Sequence, residues 1–86
     1  MKLPVLTNKN ELMPLSAYLG GVYRRLRRDR HLSQRAVSRL SGVARSDISA
    51  FERGKQRIYL DTFERICVPL ERRPVLVLVE TEQLAY

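Results

Sequence analysis

This chain of 86 residues has one cysteine, one histidine and no tryptophan. The lone Cys67 has no partner for an internal disulfide, so nothing calls for an oxidising compartment. One histidine and one cysteine also leave no ligand cluster for a metal and no His/carboxylate arrangement for nucleophilic catalysis. Only four glycines occur, and none of them builds a phosphate-cradling loop. An enzyme is therefore not expected, and neither is a cofactor. No apolar run approaches the ~18 residues of a membrane span. The opening MKLPVLTNKN has too short an apolar stretch for a signal peptide, so a cytoplasmic protein is the expectation.

Acidic side chains are the other shortage, and they are scarce in a particular place. Residues 21–60 hold ten arginines and Lys55 against only Asp29, Asp47 and Glu52, a net of +8. The remainder carries five basic and six acidic residues, so the whole excess of +7 is central. Such a segment is the footprint of a polyanion binder. Arginine outnumbers lysine 13 to 3, which favours bidentate contacts with phosphate and guanine. A chain of this length is one domain with a modest core, and it gains from dimerising.

Residues 1–13 read as an N-terminal arm, with Pro4 confining KLPVL to an edge. Residues 14–70 read as helical. Helix 1 is predicted from Leu15 to Asp29, with Pro14 at its start and Leu15, Leu19, Val22, Tyr23 and Leu26 as the apolar stripe. Gly20-Gly21 conflicts with that helix unless a neighbour packs closely or the helix begins after it. Helix 2 follows the N-cap Ser33, buries Ala36, Val37 and Leu40, and ends at Gly42. Helix 3 starts near Ala44 or Arg45 with Ile48, Phe51 and Glu52 inward, and stops at Gly54. Helix 4 is capped by Leu60 or Asp61, runs through Phe63, Ile66 and Cys67, and is broken by Pro69.

The tail, 71–86, changes pattern. Val75, Leu76, Val77, Leu78 and Val79 are apolar on both parities, as in a buried strand, yet a lone strand cannot stand without a ladder partner. It is expected to pair with the same strand of a second chain, or with the N-terminal arm, across a dimer. A short fifth helix is the alternative.

Two helices around a glycine-containing turn, the second with a polar outer face, form the helix-turn-helix pattern. Here the details resemble the Cro/Xre-type phage-repressor family. Leu32, Ser33, Gln34, Val37 and Ser38, then Gly42-Val43, then Ile48, Ser49 and Glu52 to Lys55 follow its pattern LSQxxLA…GVSxxxISxxExGK without a gap. Leu60 to Phe63 extend the match, which covers about residues 22–70. The resemblance implies a compact four-helix domain that binds double-stranded DNA as a homodimer at a pseudo-palindromic operator, most often as a repressor.

By position, the base-reading slots fall on Ala44, Arg45, Ser46, Ser49 and Ala50. Arg45 suits guanine O6 and N7; a phosphate contact or an ion pair with Asp47 is its alternative. The phosphate slots fall on Ser33 and Gln34 and on the loop after helix 3, here Lys55 and Arg57, with Arg35 and Arg53 as additions. Arg27 and Glu52 occupy slots that form an internal ion pair in family members. Four departures stand out: Ala44 for a Ser or Thr cap, His31 where Gly is common, a small Ser41, and the strand-like tail in place of a fifth helix. The tail makes the architecture similar to HipB-like antitoxins, which repress their own operon and bind a kinase-like toxin protein. A partner-holding protein with DNA binding secondary, or a phage or restriction-modification controller, are the other readings.

Overall fold

A computed structural model describes residues 15–80. The N-terminal arm, Pro14 and residues 81–86 lie outside the described residues. Four α-helices follow in order: α1 Leu15–Asp29, α2 Gln34–Ser41, α3 Arg45–Glu52 and α4 Leu60–Cys67. Among the described residues a 3₁₀ turn, Val68–Leu70, follows α4 and holds Pro69. Among the described residues no helix is long and apolar enough to cross a membrane.

Three aromatic rings centre the core. Tyr23 of α1, Phe51 of α3 and Phe63 of α4 lie with ring centroids 5.8–6.3 Å apart in tilted and edge-on pairs, the arrangement the ring quadrupoles favour. Val37, Val43, Ile48, Ile66, Cys67 and Leu70 complete the buried set. The Tyr23 hydroxyl donates to the Ile66 carbonyl at 2.6 Å, which satisfies both groups away from water. Burial pushes that phenol well above its ordinary pKa.

α1 runs unbroken through Gly20-Gly21, because α3 crosses it there. A Cβ on Gly20 would collide with the Phe51 carbonyl, while Gly21 faces open space. Between α1 and α2, His31 takes φ 56, a left-handed conformation that glycine adopts at lower cost. Ser33 caps α2, its hydroxyl accepting from the Ala36 amide at 3.0 Å. Gly42 ends α2 at φ 75, the left-handed residue that lets the chain turn.

Three expectations need correction. Leu40 is 64 % exposed and not part of the core. Val37 is the buried residue of α2, and half-buried serines lie beside it: Ser38 donates to the Val43 carbonyl at 2.6 Å, and the Ser41 hydroxyl accepts from the Val43 amide at 3.2 Å. Arg65 of α4 donates to the Ser41 carbonyl at 2.8 Å. Leu15, placed on the α1 stripe, is likewise 60 % exposed at the helix's first turn. The cap of α4 is Tyr59, with no side-chain bond, and not Leu60 or Asp61. Asp61 lies inside the first turn, where its charge suits the helix dipole.

Residues 72–80 form neither helix nor ladder within the single chain, and Val75–Val79 are all exposed. Just before them Arg30 donates to Glu71 at 2.7 Å, joining the end of α1 to the chain after the 3₁₀ turn. That bond holds the Glu71 carboxyl below its ordinary pKa.

Candidate nucleic-acid interface

α3 is eight residues long and its inward face is fully used. Ile48 and Phe51 enter the core, and Glu52 is buried beside them. The other positions of the helix are Arg45, Ser46, Asp47, Ser49 and Ala50, with Arg53 at its C-cap. Arg45, Ser46 and Arg53 are exposed, and Ser49 and Ala50 are half-buried. Ala44 sits at the cap position, exposed, with no side-chain cap bond. Gly54, at φ 71, turns the chain away and sits close to Ala17 of α1.

Behind α3 lies a buried brace. Arg27 of α1 donates through Nε to Glu52 Oε2 at 2.7 Å and through a terminal nitrogen to Oε1 at 2.8 Å. Its other terminal nitrogen donates to the Leu32 carbonyl at 2.6 Å, in the turn that enters α2. Gln34 adds a bond from Nε2 to Glu52 Oε1 at 3.1 Å. A single carboxylate thus ties α3 to α1 and to the first residue of α2. The bond to Glu52 raises the Arg27 pKa further, against the opposing effect of burial.

The brace fixes the flank of α3 where α2 begins. Ser33 and Arg35 are exposed there. Ser33 Oγ is committed to its cap, and Gln34 is half-buried with one amide bond given to Glu52. At the other flank, the loop after α3 returns along the helix. The Lys55 amide donates to the Ala50 carbonyl at 2.9 Å, and Gln56 donates to Asp47 Oδ1 at 3.2 Å. Lys55 and Arg57 are exposed on this loop.

The outer arc of α3 is therefore bordered by basic groups on both sides. Among the described residues the carboxylates paired in ion bridges are Glu52 and Glu71, taken by Arg27 and Arg30. Asp47 accepts from Gln56, and Arg45 makes no ion pair with it. The guanidinium of Arg45 stands in solvent on the first turn of α3. Two groups that shape this surface were not foreseen from sequence. Gln56 pins the loop and Arg65 anchors α2, and neither falls on a motif position or a hydrophobic period that would reveal it.

Among the described residues no three His, Cys, Asp or Glu side chains gather as a metal site. Cys67 is buried, and burial raises its thiol from the usual 9.0 to about 11, the state of an inert filler.

The crystal structure of the clp gene regulator ClgR from C. glutamicum is similar to this fold, with a TM-score of 0.68 and 25 % identity. The likeness covers 76 % of this chain and 83 % of that one. No curated protein matches. The family described as a helix-turn-helix domain matches residues 19–78, which takes in α2, α3 and the brace between them. The chain belongs to that helix-turn-helix family, of the Cro/Xre type.

Proposed function

We propose that this chain is a DNA-binding transcriptional regulator that acts as a homodimeric repressor. The observation that carries the reading is the outer face of α3. It presents Arg45 and Ser46 exposed on its first turn, with the lone acidic residue there, Asp47, engaged by Gln56, and it is held from behind by the Arg27–Glu52 brace. The major groove of B-DNA admits one α-helix, and the first turn of that helix meets base edges. Arg45 and Ser46 occupy that turn, with Ser49 and Ala50 one turn on. Arg45 reads guanine, and Ala50 offers a methyl to thymine. Ala44 lies against the groove edge.

Ser33, Gln34 and Arg35 on one flank and Arg53, Lys55 and Arg57 on the other grip phosphates. These contacts position the protein and make binding salt-dependent without reading sequence. The excess of positive charge belongs to this segment. The tail, 71–86, holds two copies together, and the two-fold makes the operator pseudo-palindromic. Similarity to a gene regulator supports the regulatory role.

Selection from random duplex followed by titration tests the reading. Arg45→Ala should lose discrimination among sequences and keep salt-dependent binding. Lys55→Ala or Arg57→Ala should weaken all duplexes alike and reduce the slope of log K against log salt by about 0.9 for each contact removed. Unchanged sequence preference in Arg45→Ala would sink the base-reading assignment.

A second reading takes its support from the exposed apolar residues 75–79. In it the chain is an antitoxin that holds a toxin protein and represses its own operon. Arg45→Ala then leaves partner binding intact, whereas deletion of residues 74–86 abolishes it.

A further inference from the structure

α1 carries more positive charge than its packing uses. Arg27 is taken by Glu52 and Arg30 by Glu71. Arg24, Arg25 and Arg28 are exposed, and among the described residues no ion bridge takes them. Residues three and four apart are neighbours on a helix. Arg25 thus has Asp29 beside it. Arg24 has Gly20, Gly21, Arg27 and Arg28 beside it, and Arg28 has Arg24, Arg25 and His31. No carboxylate is among them. Like charges one turn apart destabilise a helix. The helix dipole offsets this for Arg28, which lies in the last turn, but not for Arg24, a turn earlier. The pair works against the fold unless an anion from outside meets it.

The place of the pair on α1 says which anion. Ala17, Gly21, Arg24 and Arg28 follow one another at helical spacing in one stripe. The stripe starts where Ala17 meets Gly54, at the turn after α3. Gly20, one turn before Arg24, lies against the backbone of Phe51 and Glu52. Arg27, one turn after Arg24 and next to Arg28, holds Glu52 and the Leu32 carbonyl. Arg24 is thereby set beside the end of α3, where Arg53 is exposed. Arg28 is set beside the entry to α2, where Ser33 and Arg35 are exposed.

We propose that Arg24 and Arg28 form a further phosphate-binding site, through which α1 grips the backbone of the same duplex that α3 reads. A guanidinium offers paired N–H groups that match the oxygens of a phosphate. Such contacts add affinity and salt dependence but no base preference. This rests on the DNA-binding reading above and extends its footprint from α2 and α3 onto α1.

Glutamine substitutions in the full chain test it, titrated over a salt series with a mixed-sequence duplex several helical turns long. Arg24→Gln and Arg28→Gln should each reduce the slope of log K against log salt by about 0.9, which is about eightfold in relative affinity for every tenfold change in salt. Arg24→Lys keeps the charge and should keep the slope. Arg25→Gln, on the Asp29 side, should leave the slope unchanged. Base preference in selection should be the same in every variant, and thermal melts should match or exceed the parent, because a like-charge pair is relieved.

A slope untouched by the double change Arg24→Gln with Arg28→Gln would overturn the site and leave the DNA reading standing. An equal fall in Arg25→Gln would also overturn it, since the general field of the protein would then account for the effect. So would a loss in Arg24→Lys as large as in Arg24→Gln, which would make the residue a matter of packing. Failure of the unaltered chain to bind any duplex would remove the DNA reading and this site with it.

Discussion

Arg27 and Glu52 are joined by two parallel hydrogen bonds, 2.7 and 2.8 Å long, at a point where both residues are nearly shut off from water. The fork of the guanidinium matches the carboxylate, and the Leu32 carbonyl and Gln34 amide take up further valences. Removing one partner strands a buried charge. Arg27→Ala or Glu52→Ala should therefore cost ~3–5 kcal/mol in urea denaturation. The double change Arg27→Met with Glu52→Leu should cost much less, because it leaves no charge behind. Equal losses for single and double variants would show that packing, not charge, is what the pair supplies.

Gly20 and Gly21 are adjacent in sequence and opposite in tolerance. A methyl group at Gly20 meets the Phe51 backbone, which cannot move without shifting α3. At Gly21 the same group meets nothing within 4 Å. Gly21→Ala should stabilise by ~0.5–1 kcal/mol, the helix-interior difference between the two residues. Gly20→Ala should destabilise and should also weaken DNA binding, since α3 is displaced. Thermal melts of the pair check it. A gain in both variants would place α3 further from α1 than it is here.

Much of this domain was legible in the residues. The bounds of α1 follow from its apolar period, and the turn into α3 follows from Gly42 and Val43. Arg27 and Glu52 were paired by motif position alone. Where the reading of α2 failed, the cause is local hydrogen bonding. Ser38 and Ser41 bond the Val43 backbone, Arg65 bonds the Ser41 carbonyl, and Leu40 is exposed. A hydrophobic period cannot register a bond to a carbonyl 24 residues away. The cap of α4 was misplaced because Tyr59 offers no side-chain signal. Residues 75–79, expected from their composition to form a strand, form none among the described residues, where no ladder partner lies beside them.

Ala44 occupies the cap of α3 with φ −58 and ψ 135 and gives no side-chain acceptor to the helix. A serine hydroxyl there reaches the amide two or three residues on, as Ser33 does for α2. Ala44→Ser should add ~1 kcal/mol to stability. Because the cap adjoins the proposed base-reading turn, the variant separates two quantities. Denaturation reports the cap, and duplex titration reports any altered approach to DNA. No gain in stability would mean that the amides of this turn are already satisfied by water.

Cys67 gives the fold an alkaline limit. Its thiol is raised from the usual 9.0 to about 11, first by burial and then by the charge of Glu64. A raised folded pKa means that the folded chain holds the proton longer than the unfolded one. The stabilisation is whole below about pH 9 and is lost as pH climbs towards about 11, with a slope of ~1.4 kcal/mol per pH unit from this group. The buried phenol of Tyr23 shifts the same way, so it steepens the loss above its ordinary value of 10.0. Cys67→Ala should flatten the decline between about pH 9 and 11 while lowering stability at neutral pH through the cavity it leaves. Urea midpoints across that range, with thiol reactivity in parallel, decide the matter. A thiol that reacts at pH 8 as fast as free cysteine would show that Cys67 is not held in the core.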